Sequence, residues 1–308
     1  MKVAAVVVSW HGGAVTERCV TSLRAQDEAP ALIVVVDNAS GADERARLTA
    51  AFAAMPDVQL LLLDENRQFA GGLNAGGAAA LAAGATHLLF LNNDTVLAPD
   101  ALGRLRRTLD ATPGAGIAGP RVLDLANPTH VLSAGERHQL VLLCVPRTLL
   151  RYRRPPDAPY RVSGIMGCAL LVTRACFEAV GGFPEDIEVY YEDVDFCLGA
   201  RAAGFGAVLE PRAVVRHDGL RGFAAGLTPW AAFLKARNPW LLLRRRGGPG
   251  AWLATLPVYG AMVGTSALLY LARGRADIAR ALGRGALAGL RGALGGRVTP
   301  VSAPVREP

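Results

Sequence analysis

Two acidic clusters and one histidine carry most of the chemistry legible in this chain. Leu88-Leu89-Phe90-Leu91 runs straight into Asn92-Asn93-Asp94. Four apolar residues ending in two amides and a carboxylate describe a buried strand with a polar tip. Ligands of open parallel sheets sit at the carboxyl ends of strands. A carboxylate there suits a divalent cation such as Mg²⁺ or Mn²⁺, which takes one or two protein carboxylates and fills its other positions with phosphate and water. The same stretch also reads as a strand end capped by turn-forming Asn and Asp. The second cluster is Glu192-Asp193-Val194-Asp195. Acids are favoured at a helix N-terminus. In that helix Glu192 and Asp195 share one face and Asp193 points elsewhere, so Asp193 can enter a cleft while its neighbours cap and brace the turn. A carboxylate placed beside an incoming hydroxyl acts as a general base. His217 ends another apolar run; it is either a structural strand-end residue or a ligand in the same cation site.

The apolar runs that position these residues alternate with helical patterns. Strand-like runs cover 3–8, 32–36, 58–63 and 88–91, and helical spacing covers 15–26, 43–54 and 74–83. This β-α-β-α-β-α-β order predicts a parallel sheet covered on both faces. Ser9, Asp37 and Asp94 then leave the same sheet edge. Asp37 suits a contact to a nucleotide ribose or base, and Asp37-Asn38-Ala39-Ser40 also suits an Asx turn. Residues 66–77 hold Gly71, Gly72, Gly76 and Gly77 and predict a Gly-rich loop entering a helix. Its backbone N–H groups would approach a phosphate or sugar, or its glycines serve tight turns and helix packing. Neither G-x-G-x-x-G nor a P-loop is present. Farther on, short strands are expected at 117–123 and 139–145, a basic loop at 147–154, a strand at 164–173 and a short helix at 174–180. Gly181-Gly182-Phe183-Pro184 breaks that helix, and two short strands follow at 206–209 and 213–216.

Charge is unevenly placed over the 308 residues. Positions 235–308 hold 12 of the 33 basic residues against Asp277 and Glu307, a net +10, and the remainder of the chain is −3. The basic residues are interleaved with Leu, Ala and Gly rather than with stacking aromatics, which argues against nucleic acid and for an anionic membrane surface. Five cysteines without a C-x-x-C pair read as small buried hydrophobes in a reducing compartment. The chain starts directly on a strand pattern, so the catalytic body is expected in the cytoplasm, at the inner face of the cell membrane. Residues 253–272 are 20 residues without a charge, the length of a bilayer span, but Pro257 and arginines on both sides favour a basic amphipathic tail lying on the membrane. Two helices packed on the catalytic domain are the competing reading. The expected division is a catalytic domain at 1–240 and a helical, basic region at 241–308.

Six short motifs occur in order: Val-Val-Val-Ser-Trp at 6–10, Val-Val-Asp-Asn-Ala-Ser at 35–40, Phe-Ala-Gly-Gly at 69–72, Leu-Asn-Asn-Asp-Thr at 91–95, Gly-Gly-Phe at 181–183 and Glu-Asp-Val-Asp at 192–195. Together they resemble the family 2 inverting glycosyltransferases, particularly the rhamnosyltransferase-like branch. The resemblance spans roughly residues 3–240. It implies an α/β, GT-A-type, Rossmann-like fold: a mostly parallel nucleotide-sugar-binding sheet flanked by helices, followed by the helical tail.

The resemblance also implies roles. Asp37 would contact the donor's base with Ser9 near it, and Asn92 or Asn93 would face the ribose. Asn66 and Asn74 would line the donor pocket. Asp94 would bind Mn²⁺ or Mg²⁺ across the pyrophosphate, His217 would complete the metal site, and Asp193 would be the catalytic base, supported by Glu192 and Asp195. His11, Gln68, Leu73, Pro184 and Gly199 depart from the usual pattern. The expected reaction moves a sugar, rhamnose among the candidates, from a dTDP-, UDP- or GDP-sugar to a lipid-linked or cell-surface glycan. Two competitors differ in kind. A sugar-phosphate nucleotidylyltransferase needs a basic Gly-rich loop after the first strand, and residues 9–13 lack Lys and Arg. A catalytically degenerate nucleotide-sugar-binding or membrane scaffold would share the fold without turnover.

Overall fold

The structure, a computed structural model, describes residues 2–136, 156–218 and 227–292. The strand expected at 139–145 and the basic loop at 147–154 lie outside those residues. The described residues fall into two compact units, 2–218 and 227–292. The division expected at 240/241 falls inside a helix of the second unit, Pro229–Arg246.

In the first unit a ten-stranded sheet begins with β1 (Val3–Ser9), β2 (Leu32–Asp37), β3 (Val58–Leu62) and β4 (His87–Asn92), ordered β3-β2-β1-β4 and all parallel. Helices α1 (Gly13–Arg24), α2 (Ala42–Phe52) and α3 (Gln68–Ala82) make the crossovers. Every residue of β1 is buried. Val3, Ala5 and Val7 join the core on one face of the sheet, and Ala4, Val6 and Val8 join the core on the other. This two-residue period with both faces apolar is why the run reads as continuously hydrophobic.

Beyond β4 the direction changes. β5 (Thr95–Leu97), α4 (Ala101–Asp110), β6 (Ala115–Asp124), β7 (Val131–Ser133), β8 (Tyr160–Val162) and β9 (Ala169–Thr173) follow, then α5 (Arg174–Val180), α6 (Glu192–Ala202) and β10 (Gly206–His217). β9 inserts antiparallel between β4 and β6, and the path continues through β10 to β5. Two expectations need correction. The strands expected at 206–209 and 213–216 are one strand, β10, whose register against β6 slips between Glu210 and Val214. Pro211 lies in the slip, where a residue without a ladder N–H is tolerated. The Gly-rich stretch is not a loop either, since α3 starts at Gln68 and contains it. A Cβ at Gly76 would lie 2.4 Å from Val6 and one at Gly72 would lie 2.8 Å from Val8. The glycines let α3 settle on β1, which is the packing alternative of the sequence reading.

The second unit contains α7 (Pro229–Arg246), α8 (Pro249–Ala272) and α9 (Ala276–Arg291). Trp240, Leu243 and Tyr259 form its small core. α9 is amphipathic and lays its small residues on α7; a Cβ at Gly285 would strike the Phe233 carbonyl at 2.2 Å, and one at Gly289 the Arg237 carbonyl at 2.5 Å. The apolar face expected to lie on a membrane is therefore buried for α9. α8 is different: it is long and apolar enough to cross a membrane, and Leu253 is 80% exposed and Leu268 67%. Pro239 interrupts α7 and leaves the Lys235 carbonyl without its helical N–H donor. The Tyr259 hydroxyl of α8 donates to that carbonyl at 2.8 Å.

Candidate active site

Strand order reverses between β1 and β4, so the crevice at their carboxyl ends is the expected ligand position of an open α/β sheet. Ser9 and Asp37 are register partners across β1 and β2, and Asn92 ends β4. The three polar tips do share one edge. Asp37 is fully buried. Its Oδ2 accepts from the Ser40 N–H at 3.3 Å and from Arg45 Nε at 3.1 Å, and its Oδ1 is buried without a hydrogen-bond partner. One oxygen is anchored and the other is left for a ligand donor.

Ser9 is buried and exchanges a hydrogen bond with the Thr16 hydroxyl at 2.8 Å, which also accepts from Asn93 Nδ2 at 3.0 Å. A Cβ at Gly12 would sit 2.2 Å from that Asn93 nitrogen. Thr16 thus joins two expected donor-site residues, a hub that helical periodicity could not distinguish from an ordinary buried position. Asn38 was likewise hidden. It donates to Asn66 Oδ1 at 3.2 Å and to the Gln68 carbonyl at 2.9 Å, and accepts from the Arg67 N–H at 2.9 Å. Asn66 therefore folds the turn before α3. Asn74, expected to line the donor pocket, instead clamps the Gly-Gly-Phe loop. Its Nδ2 donates to the Phe183 carbonyl at 2.9 Å and to Glu185 at 3.0 Å, and its Oδ1 accepts from the Phe183 N–H at 2.7 Å.

His217 arrives from far along the chain because β10 pairs with β5, matching His217 to Thr95. The Asp218 N–H also donates to the Asp94 carbonyl at 3.1 Å. His217 Nε2 then lies 3.1 Å from Asp94 Oδ1 and 3.2 Å from Asn92 Nδ2. The Asp94 oxygen makes no hydrogen bond despite this approach, and Asn92 Oδ1 and His217 Nδ1 are also buried without a partner. Neighbouring ligands at the ~2.1 Å typical of an octahedral Mg²⁺-type ion are separated by about 3.0 Å, so the Asp94–His217 pair fits one. Among the described residues no group of three His, Cys, Asp or Glu converges, and such an ion would take its remaining ligands from phosphate and water.

α6 begins in an uncommon way. Glu188, Tyr190 and Tyr191 have φ of 68°, 64° and 74°; among the described residues the other non-glycine residues at positive φ are His11 and Ala39, in the turns after β1 and β2, and Gln68, the first residue of α3. Each such conformation costs about 1–3 kcal/mol. The Ala70 N–H of α3 donates to the Glu188 carbonyl at 3.0 Å, joining the two sets.

Glu192, Asp193 and Asp195 are all buried. Asp193 Oδ2 accepts from the Gly167 N–H and Oδ1 from the Val194 N–H, each at 2.8 Å. One residue beyond Gly167, the Cys168 carbonyl accepts from the Asn92 N–H at 3.0 Å. A single stretch of backbone therefore touches both the β4 tip and Asp193. Burial pushes the Cys168 thiol well above its usual pKa, and the negative charges of Asp94, Asp193 and Glu136 add to that. Burial also lifts Cys19 to about 12. Both thiols are protonated at neutral pH, so neither is a thiolate nucleophile.

A family model described as glycosyltransferase-like family 2 matches residues 1–241, and the chain belongs to that family. An N-acetylglucosaminyl-diphospho-decaprenol L-rhamnosyltransferase of Mycobacterium tuberculosis is 29% identical over 274 residues, 82% of this chain and 86% of that one. A dTDP-rhamnosyl transferase of Shigella flexneri is 23% identical over 90% of this chain and 91% of its own length. An uncharacterised M. tuberculosis protein is 33% identical over 162 residues, so the match spans about half of either chain. Among solved structures, a mannosyltransferase from Pyrobaculum calidifontis in complex with GDP-Man and Mn²⁺ superposes with a TM-score of 0.60 at 20% identity, covering 95% of this chain and 88% of that one. GalNAc-T7 with UDP, GalNAc and Mn²⁺ gives 0.53 at 17% identity over 70% of this chain and 43% of that one.

Proposed function

We propose that this chain is an inverting, divalent-cation-dependent glycosyltransferase that moves a sugar of the rhamnose class from a nucleoside diphosphate to a hydroxyl of a lipid-linked glycan. The observation that carries the reading is the opposition of Asp94 Oδ1 and His217 Nε2 at 3.1 Å on the switch-point edge, with Asp193 bonded to the same backbone stretch as the β4 tip. Asp94 and His217 would hold Mn²⁺ or Mg²⁺, whose charge would neutralise the leaving nucleoside diphosphate. Asp37, fixed by Arg45 and Ser40, would accept from the nucleobase through Oδ1. Ser9, Thr16 and Asn93 would shape the floor beneath the ribose. Asp193, held at both oxygens by backbone N–H groups, keeps lone pairs for the acceptor's proton as that hydroxyl attacks the anomeric carbon. Attack opposite the leaving group gives inversion in one displacement.

The acceptor class is supported by the relative named for a decaprenol-linked substrate and by the exposed apolar face of α8. At about 1.5 Å per residue, the 24 residues of α8 reach across a hydrocarbon core, and Arg244, Arg245, Arg246, Arg273 and Arg275 flank them, suiting anionic lipid headgroups. We place the enzyme at the cytoplasmic face of the membrane, with its catalytic domain at 1–240. Calorimetric titration of dTDP, UDP and GDP with and without Mn²⁺ tests the donor site. Cation-dependent binding of one nucleotide, lost in Asp94→Ala, is the expected result. A folded sample that binds none of them would overturn the reading in favour of a degenerate scaffold.

A further inference from the structure

The Gly181-Gly182-Phe183 motif has no part in the chemistry above, yet its phenylalanine stands between the two halves of the site. The Phe183 ring stacks on Phe196 with centroids 4.5 Å apart and an interplanar angle of 23°, and it meets Phe90 edge-on at 5.0 Å and 86°. Phe90 is on β4, four residues before Asp94; Phe196 is on α6, three residues after Asp193. The backbone of Phe183 is equally constrained. Asn74 of α3 bonds both its N–H and its C=O, and α3 is seated on β1 and β2 through Gly72 and Gly76. Gly181 and Gly182 have φ of 82° and 88°, and a Cβ at Gly182 would lie 2.7 Å from Asn74 Oδ1. The loop is thus shaped to bring one ring to one place.

We infer that Phe183 is a positioning residue for transfer, its ring setting the α6 helix that carries Asp193 against the β4 strand that leads to Asp94. The inference rests on the reaction proposed above. Phe183 sits in a buried cluster with Phe90, Phe177 and Phe196; it is fixed through its backbone by α3, and its ring makes the closest contacts of the cluster to β4 and α6. A displacement of the base by about 1 Å costs on the order of a hundredfold in rate. Donor binding uses β1, β2 and β4, which hold their own register without Phe183.

The test is Phe183→Leu, which removes the ring contacts and keeps most of the volume, beside Phe183→Met, which restores contact to the aromatic faces. Three quantities are read on the full chain: the Mn²⁺-dependent Kd for the nucleotide, kcat for transfer, and amide exchange at Gly167 and at Val35. For Phe183→Leu we expect Kd within about twofold, kcat lower by about ten- to a hundredfold, Gly167 exchange about tenfold faster and Val35 unchanged. Phe183→Met should recover part of kcat and of the Gly167 protection. Unchanged kcat, or Kd, kcat and both amides moving together, would overturn the inference. If the wild type neither binds nucleotide nor turns over, the proposed reaction fails, and exchange at Gly167 against Val35 still decides whether Phe183 sets the position of α6.

Discussion

The two halves of the catalytic edge are built by different means. On the donor side Ser9, Asp37 and Asn92 are the last residues of neighbouring parallel strands, each placed by the apolar run just before it. On the other side Asp193 and His217 reach the edge through antiparallel or irregular pairing: Asp193 on a helix held by Gly167, and His217 on a bulged strand zipped to β5. Local pattern places the first set and tertiary pairing places the second. On the proposed function the first half would bind and the second would react, which makes them separable by experiment.

The sharpest cut is Asp193→Asn. It should lower transfer by about 10²–10⁴-fold and leave the Mn²⁺-dependent nucleotide Kd within about twofold, measured by product formation and calorimetry. Equal loss of both would erase the distinction between halves. Asp94→Ala should lower transfer by a comparable or smaller factor, but here the cation-dependent part of nucleotide affinity disappears as well. His217→Ala crosses the division, because a residue delivered by the second half serves the cation of the first. Mn²⁺ affinity should fall about 10–100-fold in a titration with nucleotide present. Asp37→Asn should weaken nucleotide binding about tenfold, the loss of one charge-assisted hydrogen bond, with kcat at saturating donor unchanged.

The smallest expected effect concerns the bulge of β10. Burial raises the Glu210 carboxyl pKa, but hydrogen bonds from Arg212 and Thr108 outweigh it and hold the carboxyl below its usual range. Because the folded pKa is the lower one, the stabilisation is present above the unfolded carboxylate value and is lost as pH falls through the folded value. Thermal melts of wild type and Glu210→Gln should therefore differ by a few degrees at pH 7 and converge in acid. A difference that persists at low pH would mean that the bulge does not depend on this charge.

The same division governs what the sequence discloses. β1, β2 and β4 are buried on both faces, so their unbroken apolar runs and polar tips are visible residue by residue. The glycines of α3 are ambiguous in sequence because a loop and a close helix–sheet contact demand the same residue; Val6 and Val8 decide between them. The single bulged β10 reads as two strands because its register slip contains Pro211 and Arg212. Asn38, Thr16 and Gly167 escape notice for a deeper reason: they contribute hydrogen bonds to partners distant in the chain, and nothing in their local spacing encodes it. Asn74 bonds the Phe183 backbone on both sides, a contact its sequence position does not disclose, since an amide facing a loop and one facing a nucleotide look alike in sequence.

The contact between Pro239 and Tyr259 works as a keyed joint. A proline opens one rung of α7, and the hydroxyl of one tyrosine fills it. Replacing Pro239 would restore a helical N–H donor to the Lys235 carbonyl, and removing the Tyr259 hydroxyl would take away its cross-helix donor. The joint ties the apolar helix α8 to α7 at one point along its length.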